Sequence, residues 1–247
     1  MNASLTFTVA QGKRLIAKAV SQLPEVVQAL SNGTIAIGRG TTNGYVAEEI
    51  LGHVIPKGEY VSGRILPPGM PWEELGRGGY PDIVIKNGEV IEGGSVINSV
   101  ADMKSGDVFI KGANALDYKN KVAGVLMMHP TGGTLSVYGA LISKKIKLII
   151  PVGLEKIVLD DISELSMLTR DAECHPKAPV VSLMPVTGNI ITEIEALHIL
   201  CGVNARLLSA GGVKGAEGAV TLLITGENAA VDKAVSLHAL LSDEPGL

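Results

Sequence analysis

Aromatic side chains and basic charge are both scarce in this sequence. Phe, Trp and Tyr make up 3% of its 247 residues, and the formal net charge is −4 at pH 7. Nucleic acids are bound through Lys and Arg contacts to phosphates, and single strands also through stacking on aromatic rings. We therefore expect no direct nucleic-acid partner.

Cysteines and uninterrupted apolar segments are also few. Cys174 and Cys201 are the only cysteines, too few for a disulfide framework. The first residues lack the basic and then apolar pattern of a signal peptide, so we expect a cytoplasmic protein. The stretch 122–143 contains no charged residue, but its central His-Pro-Thr-Gly-Gly-Thr would leave polar groups unpaired in lipid. We predict no membrane span.

Apolar residues and glycines are abundant. Hydrophobic residues make up 46% of the chain and charged residues 19%, and there are 30 glycines, a composition that favours a compact globule with many tight loops. Apolar strand-like segments at 34–37, 108–110 and 146–152 alternate with helical patterns. This order predicts an α/β domain over 1–165, with a Rossmann-like, mainly parallel sheet flanked by helices.

A second unit is predicted after a charged linker at 166–178. Residues 179–247 have the order strand, helix, strand, strand, helix, which is typical of a small α+β ferredoxin-like module. The predicted strands are 180–186, 206–210 and 219–225, and the predicted helices are 192–200 and 229–241. Open sheet edges in so small a module favour a homo-oligomer.

Shorter patterns predict the remaining elements of the first domain. Residues 4–9 and 60–66 are expected to be strands, 11–30 and 135–143 helices, and 67–81 a loop over a cleft. Asn87-Gly88, between two alternating arms, predicts a tight hairpin.

A glycine turn between a strand and a helix is the first candidate site. It would offer free backbone N–H groups, hydroxyls and a guanidinium to an anion. The alternative is a turn that needs glycine and a capping hydroxyl and binds nothing. The candidate ligand-binding residues are Gly38, Arg39, Gly40, Thr41, Thr42 and Asn43.

Polar residues at the end of the apolar strand 108–110 form the second candidate, and a nearby glycine loop forms the third. Ligands of parallel sheets bind at the carboxyl ends of strands, which favours a shared cleft. In the alternative, Asp117 caps a turn and Lys111 is solvated. The residues are Lys111, Asn114 and Asp117, followed by Thr131, Gly132, Gly133 and Thr134.

Four segments together resemble a known superfamily. "IAIGRGTTNGYVAEEIL", "DVFIKGANALDY", "HPTGGT" and "KKIKLIIPVGLEKIV" are similar to the corresponding parts of ribose-5-phosphate isomerases, glucosamine-6-phosphate deaminases, CoA transferases and sugar-phosphate sensor domains. The resemblance covers about residues 10–160. It implies a site for a small phosphorylated or CoA-type ligand, with all three loops around one cleft.

Several positions depart from the isomerase pattern. The isomerases have Asp where this chain has Lys111 and Asn114, and Lys where it has Thr131, and the helix after the glycine loop lacks their glutamate base. Asp117 remains a candidate base, and Lys111 a candidate electrostatic stabiliser or Schiff-base amine. Glu92, before two glycines, resembles the CoA-transferase nucleophile, with an exposed surface glutamate as the alternative.

Two further interpretations concern the C-terminal half. The predicted module weakly resembles microcompartment-shell and ACT-type domains, and a generic module without a special role is the alternative. A zinc site is conceivable at Asp171, Glu173, Cys174 and His175, or at His198 with Cys201, but no paired Cys-x-x-Cys is present. We therefore predict neither a metal nor a cofactor.

Three classes of function remain open from the sequence. The chain could be an isomerase or acyl transferase, a module that binds phosphorylated metabolites without turnover, or an assembly protein that binds neither. The residues favour the binding of a small anionic metabolite, with a non-catalytic sensing or oligomeric role as the alternative.

Overall fold

The computed structural model describes residues 1–63, 65, 79–128, 131–170, 174–175 and 177–246. The strands in chain order are β1 (Asn2–Phe7), β2 (Thr34–Ile37), β3 (Ile83–Lys86), β4 (Glu89–Val90), β5 (Val108–Ile110), β6 (Ala115–Asp117), β7 (Val122–Met127), β8 (Lys147–Pro151), β9 (Ser182–Val186), β10 (Asn189–Ile191), β11 (Asn204–Ala210) and β12 (Val220–Thr225).

The helices are interspersed among these strands. They are α1 (Val9–Ser21), α2 (Pro24–Asn32), α3 (Thr41–Leu51), α4 (Val96–Ser99), α5 (Tyr138–Ser143), α6 (Ile162–Leu168), α7 (Glu193–Cys201) and α8 (Asn228–Leu240), with 3₁₀ helices at Gly133–Val137 and Leu154–Lys156. Within the described ranges, no helix combines the length and the apolar character needed to cross a membrane.

A six-stranded mixed sheet carries the candidate site. Its order is β10-β8-β5-β2-β3-β4; the first four strands pair in parallel, and β3 and β4 run antiparallel to their neighbours. The apolar runs of β2 and β5 are almost wholly buried, as expected for central parallel strands. This confirms the predicted α/β class. The carboxyl ends of β2, β5, β8 and β10 share one edge, which we call the carboxyl edge.

Helix α1 is the element that links the other helices near this edge. It packs against both α3 and α7, and its start is fixed by a capping box in which the Thr8 side chain accepts from the Gln11 N–H and the Gln11 side chain accepts from the Thr8 N–H. Helices α3 and α7 follow β2 and β10 after short turns. Their first turns therefore begin at the carboxyl edge, beside α1.

The strands predicted for a ferredoxin-like module join three different sheets. β9 pairs with β7, the additional strand β10 pairs with β8, and β11 and β12 pair with each other and with β1 from the other end of the chain. The predicted grouping of these strands into one sheet is therefore wrong for the described residues. Period-2 apolar patterns show which face of a strand is buried, but they carry no information about which strand lies beside it.

One continuous cluster of buried apolar side chains spans the sequence. It includes Leu5 in β1, Ile35 in β2, Ile224 in β12 and Val231 in α8. Residues from both predicted units therefore share a core, and strand pairs connect those units across the predicted linker at 166–178.

Local predictions were confirmed where turn chemistry determines the backbone. β3 and β4 form the predicted hairpin, with Asn87 and Gly88 at φ of 52° and 84°, as a type I′ turn requires. The helix predicted at 11–30 is divided into α1 and α2, because Pro24 starts a new helix at a position that tolerates the missing N–H. The helix predicted at 135–143 begins as the 3₁₀ helix and continues as α5.

The strand predicted at 60–66 is wrong over its described residues 60–63 and 65. Tyr60 instead anchors the β2–α3 turn: its hydroxyl donates to the Ile37 carbonyl, and its own carbonyl accepts from Gly40 N at 2.8 Å. These bonds link a loop to a turn and form no ladder. The loop predicted at 67–81 lies mostly outside the described residues.

Candidate functional site

The turn between β2 and α3 occupies the centre of the carboxyl edge. Gly38 N donates to the carbonyl of Ile110 in β5 at 2.8 Å, which holds the turn against the neighbouring strand. Helix α3 begins at Thr41 after the N-cap Gly40, and Gly40 offers no capping side chain. First-turn N–H groups of a helix have no partner within the helix, so this end of α3 presents donors and the positive end of a dipole.

Two buried polar atoms in this first turn lack hydrogen-bond partners within the described structure. They are Thr42 Oγ1 and Asn43 Oδ1, in residues that are 3% and 0% exposed. The Asn43 amide donates to the Gly38 carbonyl. A Cβ atom on Gly112 would lie 3.3 Å from Asn43 Oδ1, so this oxygen faces the chain that leaves β5. Buried polar atoms are normally paired, and these two are available to a bound molecule or water.

Three lysines from different elements surround the turn. Lys13 in α1 donates to Thr41 Oγ1 at 3.1 Å, Lys111 after β5 donates to the Gly112 carbonyl at 3.3 Å, and Lys156 after β8 donates to the Ala113 carbonyl at 2.9 Å. Their hydrogen bonds all end on residues at the carboxyl edge.

Burial and mutual repulsion alter the ionisation of these lysines. Burial, and then the charge of Lys156, lower the pKa of Lys13 to about 8 and the pKa of Lys111 to about 8. Burial also lowers the pKa of Lys156. The Lys111 side chain is half-buried. Holding the ammonium groups of these three lysines so close together, and partly away from water, costs free energy.

Two glutamates, Glu155 and Glu193, lie close to these lysines and interact with Lys13 and Lys156. Glu193, in the first turn of α7, is 2% exposed, and burial followed by the charge of Glu155 raises the pKa of Glu193 to about 8. Its Oε2 accepts from Leu154 N at 2.9 Å. A Cβ on Gly12 would lie 2.5 Å from Glu193 Oε1, so a glycine in α1 makes room for the carboxyl group.

The charges of these five side chains do not cancel at neutral pH. With its raised pKa, Glu193 is mostly protonated at pH 7, whereas Lys13 and Lys111, with pKa values of about 8, are mostly charged, against the single carboxylate of Glu155. The cluster therefore carries excess positive charge beside the amino end of α3. We call it the lysine cluster: Lys13, Lys111, Lys156, Glu155 and Glu193.

The third predicted loop also reaches this place. A Cβ on Gly38 would lie 2.8 Å from Lys111 Cδ and 3.2 Å from Thr134 Cγ2, so three residues from separate predicted loops lie side by side. Gly132 and Gly133 have φ of 84° and 52°, which allows the chain to turn into the 3₁₀ helix that contains Thr134. Thr131 precedes this turn.

Asn114 and Asp117 have partners in a different local structure, the β6–β7 hairpin. Asp117 accepts from Asn120 N at 2.9 Å and from Asn120 Nδ2 at 2.7 Å, and these hydrogen bonds, the backbone one first, lower the pKa of Asp117. Asn114 Oδ1 accepts from Leu126 N at 3.1 Å. After Lys111 the chain leaves the six-stranded sheet to build this hairpin, and the hydrogen bonds described for these two side chains lie within it.

Other predicted residues lie around the site or elsewhere. Arg39 Nε donates to Asp82 Oδ1 at 2.8 Å, so the guanidinium lies beside a carboxylate. Glu92 is exposed. His198 Nδ1 lies 3.3 Å from the Val203 carbonyl, and Cys201 is buried.

The zinc alternative is only partly within the described structure. Asp171 and Glu173 fall outside it. Among the residues that the structure does describe, no group of three or more His, Cys, Asp or Glu side chains is arranged to hold a metal ion.

Four members of the lysine cluster were not predicted from the sequence: Lys13, Glu155, Lys156 and Glu193. Lys156 lies in the 3₁₀ helix Leu154–Lys156, after β8 has ended at Pro151, so the strand-end signal that indicated Lys111 does not indicate Lys156. Glu193 follows β10, a strand that no pattern predicted. Lys13 lies within an otherwise apolar helix face, where a buried lysine is exceptional.

A cavity of about 770 Å³ lies between α7 and the strands β11 and β12. Ile194, His198, Arg206 and Leu223 are among its lining residues. Most of its lining is apolar, and none of the lysine-cluster residues contributes to it. The cavity and the lysine cluster therefore lie in different parts of the molecule. We place the candidate site at the carboxyl edge, because a cluster of charged groups with altered pKa values is the more specific sign of a functional site.

The chain was compared with protein-family models, with curated proteins and with solved structures. None of the three comparisons gave a significant match.

Proposed function

We propose that the protein binds a small anionic metabolite at the carboxyl edge, with the anionic group between the first turn of α3 and the lysine cluster. The observation that carries this proposal is the buried excess of ammonium groups beside two unpartnered polar atoms, Thr42 Oγ1 and Asn43 Oδ1. An anion would supply countercharge to the ammonium groups and an acceptor for the Thr42 hydroxyl. Asn43 Oδ1 can only accept, so its partner would be a hydroxyl group of the bound metabolite.

A phosphate group fits this environment best. Near neutral pH a phosphomonoester carries between one and two negative charges and three acceptor oxygens. The ammonium groups of Lys13 and Lys156 can neutralise that charge, and the hydroxyls and N–H groups at the start of α3 can bind its oxygens. A sugar phosphate or the phosphate groups of a CoA-type ligand would satisfy the same chemistry. The superfamily resemblance and the shared carboxyl edge of four parallel strands support the same proposal.

Binding without isomerisation is the second candidate, and one contact favours it. Both carboxylate oxygens of Asp117, the only carboxylate kept from the isomerase pattern, accept hydrogen bonds from Asn120. If there is turnover, Lys111 and Glu193 are better placed to take part, since both belong to the lysine cluster. A sensing or oligomeric role remains compatible with this site.

The test is calorimetric titration with glycerol 3-phosphate and inorganic phosphate. We expect wild-type protein to bind, and Thr41→Ala and Lys13→Met to weaken binding about 10-fold or more, since a charge-assisted hydrogen bond contributes about 1.5–3 kcal/mol. Lys18→Met is the matched control, because Lys18 lies on the same helix and pairs with Glu49. Absence of binding at millimolar ligand, or equal loss in the control, would exclude this site.

A further inference from the structure

Lys111 differs from the other two lysines of the cluster in its partners. Lys13 and Lys156 both interact with the carboxylate of Glu155, which favours their charged forms. No carboxylate among the described residues acts on Lys111 in this way. Its one described hydrogen bond, to the Gly112 carbonyl, is 3.3 Å long, near the upper limit for such bonds. The Lys111 amine is therefore the least constrained of the three.

The path of the Lys111 side chain brings it to the proposed ligand. It crosses directly above Gly38, where a Cβ would lie 2.8 Å from Lys111 Cδ. Gly38 opens the turn that leads into α3, and Thr134 Cγ2 lies close to the same point, 3.2 Å from where that Cβ would be. A molecule held at the first turn of α3 by its anionic group would therefore have its remaining atoms within reach of this amine.

We propose that Lys111 forms an imine with an aldehyde or ketone group of the bound anionic metabolite, which makes the ligand a phosphorylated or carboxylated carbonyl compound. This inference rests on the proposed function, because the anionic group must first be held at α3. Lys13 and Lys156 then act as the fixed cations, and Lys111 as the nucleophile.

The chemistry balances without any further reactant. The lone pair of the neutral amine forms a bond to the carbonyl carbon, and the C=O π pair moves to oxygen, which takes up a proton. The carbinolamine then loses its hydroxyl group as water, and nitrogen loses its remaining proton. One carbonyl and one amine become one imine and one water, with no oxidation or reduction.

The ionisation of Lys111 supports this role. With a pKa of about 8, on the order of 10% of the amine is neutral at pH 7, against about 0.03% for an ordinary lysine. The neutral fraction available for attack is therefore larger by a factor of several hundred.

The experiment traps the imine on the full chain. Glyceraldehyde 3-phosphate is added with sodium borohydride, and the reduced adduct is detected by intact mass and located by peptide mapping. We expect one dominant adduct on Lys111 in the wild type and none at position 111 in Lys111→Arg. Lys104→Met, which removes an exposed lysine, should react like the wild type, and unphosphorylated glyceraldehyde should label Lys111 at least about 10-fold more slowly because it lacks the charge-assisted contacts.

Peptide mapping of the wild type decides the question even if Lys111→Arg misfolds. Adducts distributed over exposed lysines, with none enriched at Lys111, would overturn the inference. Glycerol 3-phosphate, which has the phosphate but no carbonyl, separates the two proposals. If it binds and no Lys111 adduct forms, the imine is excluded and anion binding stands; if neither it nor inorganic phosphate binds, both proposals fail.

Discussion

Replacing Lys111 with methionine is expected to stabilise the protein. The pKa of Lys111 falls from 10.5 to about 8 on folding, and one pKa unit corresponds to about 1.4 kcal/mol, so the charged amine costs about 3 kcal/mol at neutral pH. Methionine keeps most of the side-chain volume and removes the charge. We expect Lys111→Met to raise the free energy of unfolding by up to about 3 kcal/mol at pH 7.

The pH dependence distinguishes this effect from ordinary packing. Because the pKa of Lys111 is lower in the folded state, folded wild type binds fewer protons than unfolded protein between pH 8 and pH 10.5. Its stability therefore rises with pH across that window. The advantage of Lys111→Met should be full below pH 8 and should shrink to its pH-independent packing part by pH 10.5.

Urea denaturation followed by circular dichroism at pH 7, 9 and 10.5 measures this effect. Lys104→Met is the control: Lys104 is exposed, so we expect a change within about 0.5 kcal/mol at every pH. A Lys111→Met protein less stable than the wild type at pH 7, or one whose gain is the same at all three values, would refute the explanation. The same variant should also lose the borohydride-trapped adduct with glyceraldehyde 3-phosphate, so stability and function should change in opposite directions.

Three further substitutions test other contacts of the site. Thr42→Val removes a buried hydroxyl without a described partner. Denaturation should therefore show a free energy of unfolding that is unchanged or up to about 1 kcal/mol higher, and calorimetry should show weaker phosphate binding. A clear loss of stability would count against an unpaired hydroxyl. Glu193 has a folded pKa of about 8 against 4.5, so its contribution to stability is full below pH 4.5 and is lost as pH rises through 8. Glu193→Gln should flatten the fall in denaturation midpoint between pH 5 and pH 8, and a fall parallel to that of the wild type would contradict the buried, protonated carboxyl. Gly12→Ala should destabilise the protein, although alanine usually stabilises a helix by about 1 kcal/mol relative to glycine, because the new Cβ would lie 2.5 Å from Glu193 Oε1. Gly139→Ala is the control and should be stabilising, because nothing lies within 4 Å of its new Cβ. Equal shifts in melting temperature for the two variants would exclude the contact between residue 12 and Glu193.

Features determined by neighbouring residues could be predicted from the sequence. β2 and β5 have the predicted bounds, Thr34–Ile37 and Val108–Ile110, because short runs of β-branched and aromatic residues between polar turns favour buried strands. The Asn87-Gly88 hairpin was confirmed for a similar reason, since few residue pairs adopt the backbone angles that its turn requires.

Features determined by the partners of a strand could not be predicted in this way. β10 is only three residues long, and it belongs to the main sheet because it lies beside β8. β1 joins strands from the far end of the chain. Nothing in a local pattern specifies such partners, so the strands after residue 179 were assigned to one module.

The candidate site was predictable only in part, for the same physical reason. The turn at Gly38 and the amine of Lys111 could be expected together, because each directly follows a strand and the two strands pair in parallel. The position of Thr134 beside them was expected from the superfamily resemblance. Lys13 and Glu193 come together because α1 packs on α7, a contact that only the three-dimensional structure shows. Asp117 was attractive as a carboxylate near a strand end, but a side chain three residues before Asn120 is also well placed to cap a turn.

The central claim is that buried lysines of lowered pKa bind an anion. Proton uptake on ligand binding is the measurement that tests this claim most directly. Inorganic phosphate is titrated into the wild type at pH 8.5 in two buffers with different ionisation enthalpies. Because a dianion raises the pKa of Lys13 and Lys111 from about 8, the account predicts uptake on the order of one proton per phosphate bound. Binding heats that are identical in the two buffers, and hence no proton uptake, would contradict it.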